Sequence, residues 1–227
     1  MIWGSSSRGV TSKAANPTGY YFAPDPSSQQ ICSIGGNVAE NSGGAHCLKY
    51  GFTSNHVLSV DIVTPQGEEV TLGTEAPDAP GYDLVGAFVG SEGTLGVATR
   101  ALVRLVRLPE EVRTVLAGFA STDQAGTATS AIIAAGIVPA AIEIMDALAI
   151  EAAEKAVSCG YPEGAGAVLV VELDGPAQEV EHEYARVEEI CREAGTFEFR
   201  MATDAAERAE IWKGRKSAFA AVGRISP

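Results

Sequence analysis

Residues 35–51 read GGNVAENSGGAHCLKYG, with five glycines in seventeen positions and two adjacent pairs. Glycine gives up more backbone entropy on folding than any other residue. A cluster this dense therefore points to positive φ angles or to backbone that must come close to something else. Between the glycines stand Asn37, Glu40, Asn41 and Ser42, short polar side chains suited to hydrogen bonding. A second stretch, residues 89–97, reads VGSEGTLGV, with glycines at 90, 93 and 96 ahead of a strand-like run. Two polar, glycine-rich turns beside strands can hold a large anionic ligand, because backbone N–H groups bind phosphate and ring oxygens without a cationic side chain. Taken singly, each stretch is equally well a tight turn between strands.

Composition narrows the choice. The chain has 227 residues, 46% of them hydrophobic, which is enough for one or two packed domains and argues against disorder. Its net charge of −13 disfavours nucleic acid and anionic membrane, since both need a basic face. No apolar run reaches the about eighteen residues of a membrane span, and the best candidate, residues 131–150, is broken by Pro139, Glu143 and Asp146. The first ten residues, MIWGSSSRGV, lack the apolar core of a signal peptide. Cys32, Cys47, Cys159 and Cys191 lie far apart with no CxxC, so neither a disulfide framework nor a zinc or iron–sulfur site is indicated. A reducing, cytoplasmic setting is the expectation.

Along the chain, residues up to about Lys13 read as polar and irregular. Residues 19–23 (GYYFA) suggest a short aromatic strand ended by Pro24-Asp25-Pro26, whose prolines force an extended or turn backbone. A short helix beginning at Ser33 or Gly35 is expected to stop at Gly43-Gly44. Residues 57–63 and 69–72 form a predicted hairpin around Pro65-Gln66-Gly67, and residues 83–88 a short helix. Residues 96–108 read as one long strand. Pro109-Glu110-Glu111 marks a change of pattern, which divides the chain into domains 1–108 and 109–227. Beyond it, strands at 113–119, 140–145, 167–173 and 196–201 alternate with helices at 122–135, 146–157, 176–194 and a last one capped by Asp204. That alternation predicts an α+β domain of ferredoxin-like kind.

The second glycine cluster is G-x-x-G-x-x-G and precedes a strand, so it fails the context of a nicotinamide-binding Rossmann motif. Instead, APDPSS (residues 23–28), IGGNVAENSGG (34–44) and GYDLVGAFVGSEGTLGV (81–97), in that order, resemble the FAD-linked oxidases of the vanillyl-alcohol oxidase type. The likeness runs from about Asn16 to Pro227. Within the family it is to the FAD-binding subunits of bacterial glycolate oxidases and to the related D-lactate and D-2-hydroxyglutarate dehydrogenases. The resemblance implies the later half of a PCMH-type FAD-binding domain followed by part of a ferredoxin-like FAD-linked oxidase cap domain. It implies FAD as cofactor, with contacts from Pro24, Asp25, Gly36, Asn37, Asn41, Gly43, Gly44, Glu92, Gly93 and Val97. Asn37 and Asn41 serve as well as ordinary turn residues.

Trp212, Arg215 and Phe219 fall at i, i+3 and i+7, on one face of the last helix. A guanidinium in an apolar stripe needs an anionic partner or an aromatic face, or it snorkels to solvent. The segment WKGRKSAF resembles the one whose Arg binds the substrate carboxylate in 2-hydroxy-acid members, a contact worth about 1.5–3 kcal/mol. His46, His56 and His182 form no ligand set by spacing, and His46 reads as a turn histidine. Glu143 and Asp146 are accounted for as a strand end and a helix cap. Glu172 in an apolar strand is a candidate for burial.

The resemblance thus implies FAD-dependent oxidation of a small 2-hydroxy acid such as glycolate to its keto acid, the α-hydrogen leaving as hydride to the flavin. It implies electron transfer to companion subunits of a glycolate oxidase complex, including an iron–sulfur subunit. A D-lactate or D-2-hydroxyglutarate dehydrogenase is the alternative within the family, and a non-catalytic binding or assembly module the alternative outside it. The family's pyrophosphate loop, its metal-binding histidine–glutamate group and its base for the α-proton have no counterpart in these residues. No catalytic residue and no metal ligand is therefore assigned. A piece of a longer enzyme is expected, which alone should be colourless, inactive and larger than a monomer.

Overall fold

In this computed structural model, residues 8–29, 31–77 and 80–225 are described. Two compact units follow one another, Met1–Leu108 and Pro109–Pro227.

The first unit opens with helix α1 (Arg8–Ala15) and strand β1 (Tyr20–Tyr21). The helix corrects the expected irregular start as far as it is described, and residues 1–7 lie outside the described residues. Helix α2 (Ile34–Glu40) is capped by Ser33, whose hydroxyl accepts from Gly36 N–H at 2.9 Å. It ends at Asn41 in the left-handed region (φ 47°), so the helix stops before Gly43-Gly44. Helix α3 (Cys47–Tyr50) leads to β2 (Val57–Val63), β3 (Glu69–Gly73), α4 (Leu84–Phe88), β4 (Val97–Val103) and β5 (Val106–Arg107). Strands β3, β2 and β4 form an antiparallel sheet in that order. Its core is Val38, Val57, Val60, Ile62, Val85, Phe88 and Val89.

The expected single strand over 96–108 is two strands in two sheets. After Val103 the chain leaves the β2 ladder, with Arg104 N–H donating to His56 O at 2.7 Å, and β5 then pairs with β1. Apolar residues interleaved with Arg104 and Arg107 continue through the break, which is why the sequence pattern alone reads across it.

The second unit runs β6 (Glu111–Phe119), α5 (Thr122–Ala134), β7 (Ala141–Asp146), α6 (Ala147–Val157), β8 (Ala167–Gly175), α7 (Ala177–Glu193), β9 (Glu198–Met201) and α8 (Ala205–Ile225). The sheet order is β7-β8-β6-β9 with every pairing antiparallel. That is the ferredoxin-like order with α6 added between its second and third strands. One face carries Val115, Ala117, Phe119, Leu169, Val171 and Leu173, packed on Ala125, Ala128 and Ile132 of α5 and Val180, Val187 and Ile190 of α7. The opposite face is different. Register places Thr114 opposite Glu172 and Glu172 opposite Ala141, so Thr114, Glu172, Asp174 and Glu143 share it. Four polar residues on a sheet face need partners, and α8 supplies them for Glu172 and Glu143.

Candidate functional site

The first unit brings the two glycine stretches together. Near the C-terminus of α2, Val38 O accepts from Gly90 N–H at 2.8 Å and Ala39 O from Glu92 N–H at 2.9 Å. The second stretch can present both N–H groups because Gly90 (φ +87°), Glu92 (φ 54°) and Gly93 (φ +77°) take left-handed backbone. A side chain at Gly90 would press Asn41 at 3.1 Å, whereas nothing lies within 4 Å of a Cβ at Gly93. Inside this junction Asn37 is only 1% exposed, and its Nδ2 has no hydrogen-bond partner among the described residues. The Ser91 hydroxyl is likewise buried and unpartnered there. An unmatched buried polar group costs about 1–3 kcal/mol, so both atoms call for a partner, water or ligand, that the described residues do not supply. Asn41 is not in that position, since its Oδ1 accepts from Ser54 N–H at 2.9 Å.

The loop after α2 closes on Asp25, which like Pro24 is buried. Asp25 takes His46 Nδ1 at 2.8 Å and His46 N–H at 3.3 Å. Closure depends on glycine, because a Cβ at Gly44 would lie 2.3 Å from Asp25 O. At Gly43 it would lie 2.7 Å from Cys47 Sγ and 2.8 Å from the Phe52 ring. Gly36 is roomier, its added carbon meeting Ser33 Oγ at 3.2 Å. Val97 opens β4 opposite Val63 with its side chain exposed. His56 is fully buried, with Nε2 bonded to Tyr50 O at 2.8 Å, and burial pulls its pKa below the usual histidine range.

In the second unit, Arg215 finds its anionic partner in Glu143 of β7. Nε and Nη2 both donate to Glu143 Oε2, at 3.0 and 2.8 Å. Among the described residues Nη1 has no hydrogen-bond partner. Trp212 donates its indole N–H to Glu172 Oε2 at 2.6 Å, and the Thr114 hydroxyl donates to the same oxygen at 2.8 Å. Glu172, the candidate for burial, is buried and held on two sides. One turn lower, Tyr161 donates its hydroxyl to Ile211 O at 2.7 Å, and burial pushes that phenol's pKa up. Gly214 makes this close approach possible, since a Cβ there would lie 2.4 Å from Cys159 Sγ and 2.6 Å from the Tyr161 hydroxyl. The Phe219 side chain lies outside the described residues. Glu143 escaped the sequence reading because a lone Glu near a strand end is unremarkable. Spacing puts 141, 143 and 145 on one face of β7, but only the pairing of Ala141 with Glu172 makes it the face that carries Glu172.

Among the described residues no group of three or more His, Cys, Asp or Glu is placed to hold a metal ion, and no helix is long and apolar enough to cross a membrane.

Residues 108–227 match the family of FAD linked oxidases, C-terminal domain, and residues 9–73 match an FAD binding domain family. The glycolate oxidase subunit GlcD of Escherichia coli (strain K12) is 52% identical over 216 residues, covering 95% of this chain and 43% of that protein. The GlcD of Bacillus subtilis (strain 168) is 40% identical, covering 95% and 46%. A D-lactate dehydrogenase of Anaerostipes hadrus is 30% identical, covering 92% and 45%. The chain therefore spans less than half the length of the curated relatives it matches. Among solved structures, an alkyldihydroxyacetonephosphate synthase aligns with a TM-score of 0.78 at 20% identity, covering 97% of this chain and 43% of that one. That likeness establishes the α+β fold. The orphaned amide of Asn37, the unpartnered Ser91 hydroxyl and the open space at Gly93 suit a cofactor rich in acceptor oxygens, as FAD is. The chain belongs to the FAD-linked oxidases.

Proposed function

We propose that the chain serves FAD-dependent oxidation of glycolate to the corresponding 2-oxo acid, as part of a glycolate oxidase. The observation that carries the cofactor half is the junction of the two glycine stretches around the unpartnered Asn37 amide. Asn37 Nδ2, Ser91 Oγ and the backbone about Gly36, Asn41, Gly43, Gly44, Glu92 and Gly93 would hold FAD. Pro24 and Asp25 would close the loop on it, and Val97 would flank it. When bound, FAD supplies the hydride acceptor. The protein's own groups bind through neutral N–H donors, which suits a chain whose net charge is −13.

Arg215 would bind the substrate carboxylate through the end of the guanidinium that Glu143 leaves open. A planar guanidinium fixed in advance holds a carboxylate through two parallel N–H bonds, which orients the α-carbon as well as binding it. The likeness to GlcD favours glycolate, and the D-lactate dehydrogenase relatives keep D-lactate as the second reading. Companion subunits, an iron–sulfur subunit among them, would take the electrons, since the relative is named a subunit of its oxidase. Four free cysteines without a described disulfide suit a cytoplasmic setting.

The test is flavin content and kinetics of the FAD-loaded enzyme. Gly36→Val should yield mostly apoprotein, because bulk would enter the space beside Ser33. Arg215→Lys keeps the charge but not the planar fork, and should raise KM for glycolate about tenfold with flavin content retained. Full flavin retention in the first variant, or an unmoved KM in the second, would remove that half of the reading.

A further inference from the structure

Resting on the reading that Arg215 binds the substrate carboxylate, we propose that Glu143 is its positioning residue. Glu143 occupies the Nε/Nη2 edge of the guanidinium and so fixes the Nη1/Nη2 end as the one offered to the substrate. A guanidinium has two edges that match a carboxylate, side-on and end-on. Here a single oxygen, Glu143 Oε2, takes both N–H groups of the side-on edge. The end-on face keeps Nη1 and the second Nη2 hydrogen.

The surroundings are built for orientation. Arg215 lies in a stretch of α8 that is held against the sheet and its connections at Ile211, Trp212 and Gly214. Ile211 O is bonded by Tyr161, Trp212 Nε1 by Glu172, and Gly214 packs directly on Cys159 and Tyr161. The backbone beneath Arg215 therefore cannot slide or rotate freely, and Glu143 fixes the part of the side chain that the backbone leaves flexible. A stabilising role explains the pair less well. Both side chains are partly exposed, at 34% and 21%, where an ion pair contributes little to folding. The pair's geometry matters more than its strength.

Three variants of Glu143 in the FAD-loaded enzyme separate the alternatives, each read by KM and kcat for glycolate and by the dissociation constant of oxalate. Oxalate is a two-carbon carboxylate with no α-hydrogen to lose, so its binding, followed by calorimetry, is independent of turnover. Glu143→Ala should raise both KM and the oxalate constant about tenfold, with kcat falling less, because the arginine loses its fixed orientation. Glu143→Gln keeps an oxygen at the same reach and should hold both increases to about twofold or less. Glu143→Asp is one methylene short of both N–H groups and should resemble the alanine variant. It also carries the test if the alanine variant folds poorly.

If alanine and glutamine variants both bind oxalate more tightly than the parent, Glu143 is a competitor of the substrate carboxylate, and the positioning role is overturned. Unchanged constants in the alanine and aspartate variants overturn it too. Should Arg215→Lys leave the oxalate constant unmoved, the arginine reading itself fails, and the role of Glu143 falls with it. An effect of Arg215→Lys with none from Glu143→Ala or Glu143→Asp sinks the positioning role alone.

Discussion

His56 has no exposed surface, and among the described residues its Nε2 meets the Tyr50 carbonyl while its Nδ1 has no partner, so Nε2 carries the hydrogen and a second proton on the ring is disfavoured. Desolvation holds its pKa below the ordinary value. The unfolded chain therefore takes up a proton near pH 6.5 while the folded one still refuses it. Because the unfolded state then binds more protons, stability falls as pH drops below about 6.5, by up to about 1.4 kcal/mol for each pH unit per proton. Denaturant midpoints between pH 7.5 and 5.5 should show this decline, and His56→Gln should flatten it; parallel profiles would mean that other groups set the slope. In the second unit the analogous buried group is Glu172. Trp212→Phe preserves the aromatic ring but removes the N–H that Glu172 Oε2 accepts. A buried carboxylate that loses one donor should cost about 1–3 kcal/mol in urea unfolding, whereas a near-zero change would mean that Thr114 and the remaining contacts suffice.

At the scale of elements, the loop from Asn41 to Gly44 shows how tightly a glycine turn can be specified. Gly44→Ala would drive a methyl into Asp25 O at 2.3 Å and break the Asp25–His46 contact, whereas Gly36→Ala meets only the Ser33 hydroxyl at 3.2 Å. The first should lower thermal stability by several degrees and the second by little. Equal shifts would show that the loop after α2 is free to move away from Asp25. Elements of this kind were legible where the sequence carries local chemistry. Ser33, Asp83, Ser121 and Asp146 each cap the helix that follows through N–H bonds of 2.8–3.3 Å, and a short polar residue ahead of a helical run is a local signal. The break at Arg104 was not legible. Leaving one sheet for another is decided by Tyr20–Tyr21 pairing with Val106–Arg107, a contact distant in sequence. Nor was the pairing of Arg215 with Glu143, which depends on β7 lying next to β8.

For the whole molecule, the alternation of strands and helices after Pro109 fixed the fold class, because each element buries one apolar face in a period proper to it. The cysteines were legible only as unconnected residues, and burial now ranks them. Cys159 and Cys191 are buried, and desolvation pushes both thiols up to about 12. Glu154 beside Cys159 adds a carboxylate that further opposes the thiolate. Cys32 and Cys47 are only partly buried. Since the thiolate is the reactive species, at pH 8 the two buried thiols present on the order of one part in ten thousand in reactive form, before access is considered. A disulfide reagent added to the native protein should therefore titrate two thiols promptly and the other two only on unfolding in guanidinium. Mass mapping should place the prompt label on Cys32 and Cys47, and Cys159→Ser with Cys191→Ser should leave the native count at two. Prompt labelling of Cys159 would be the telling contrary result. It would mean that the contact of Gly214 with Cys159 and Tyr161 opens in solution, and with it the stretch of α8 that carries Arg215.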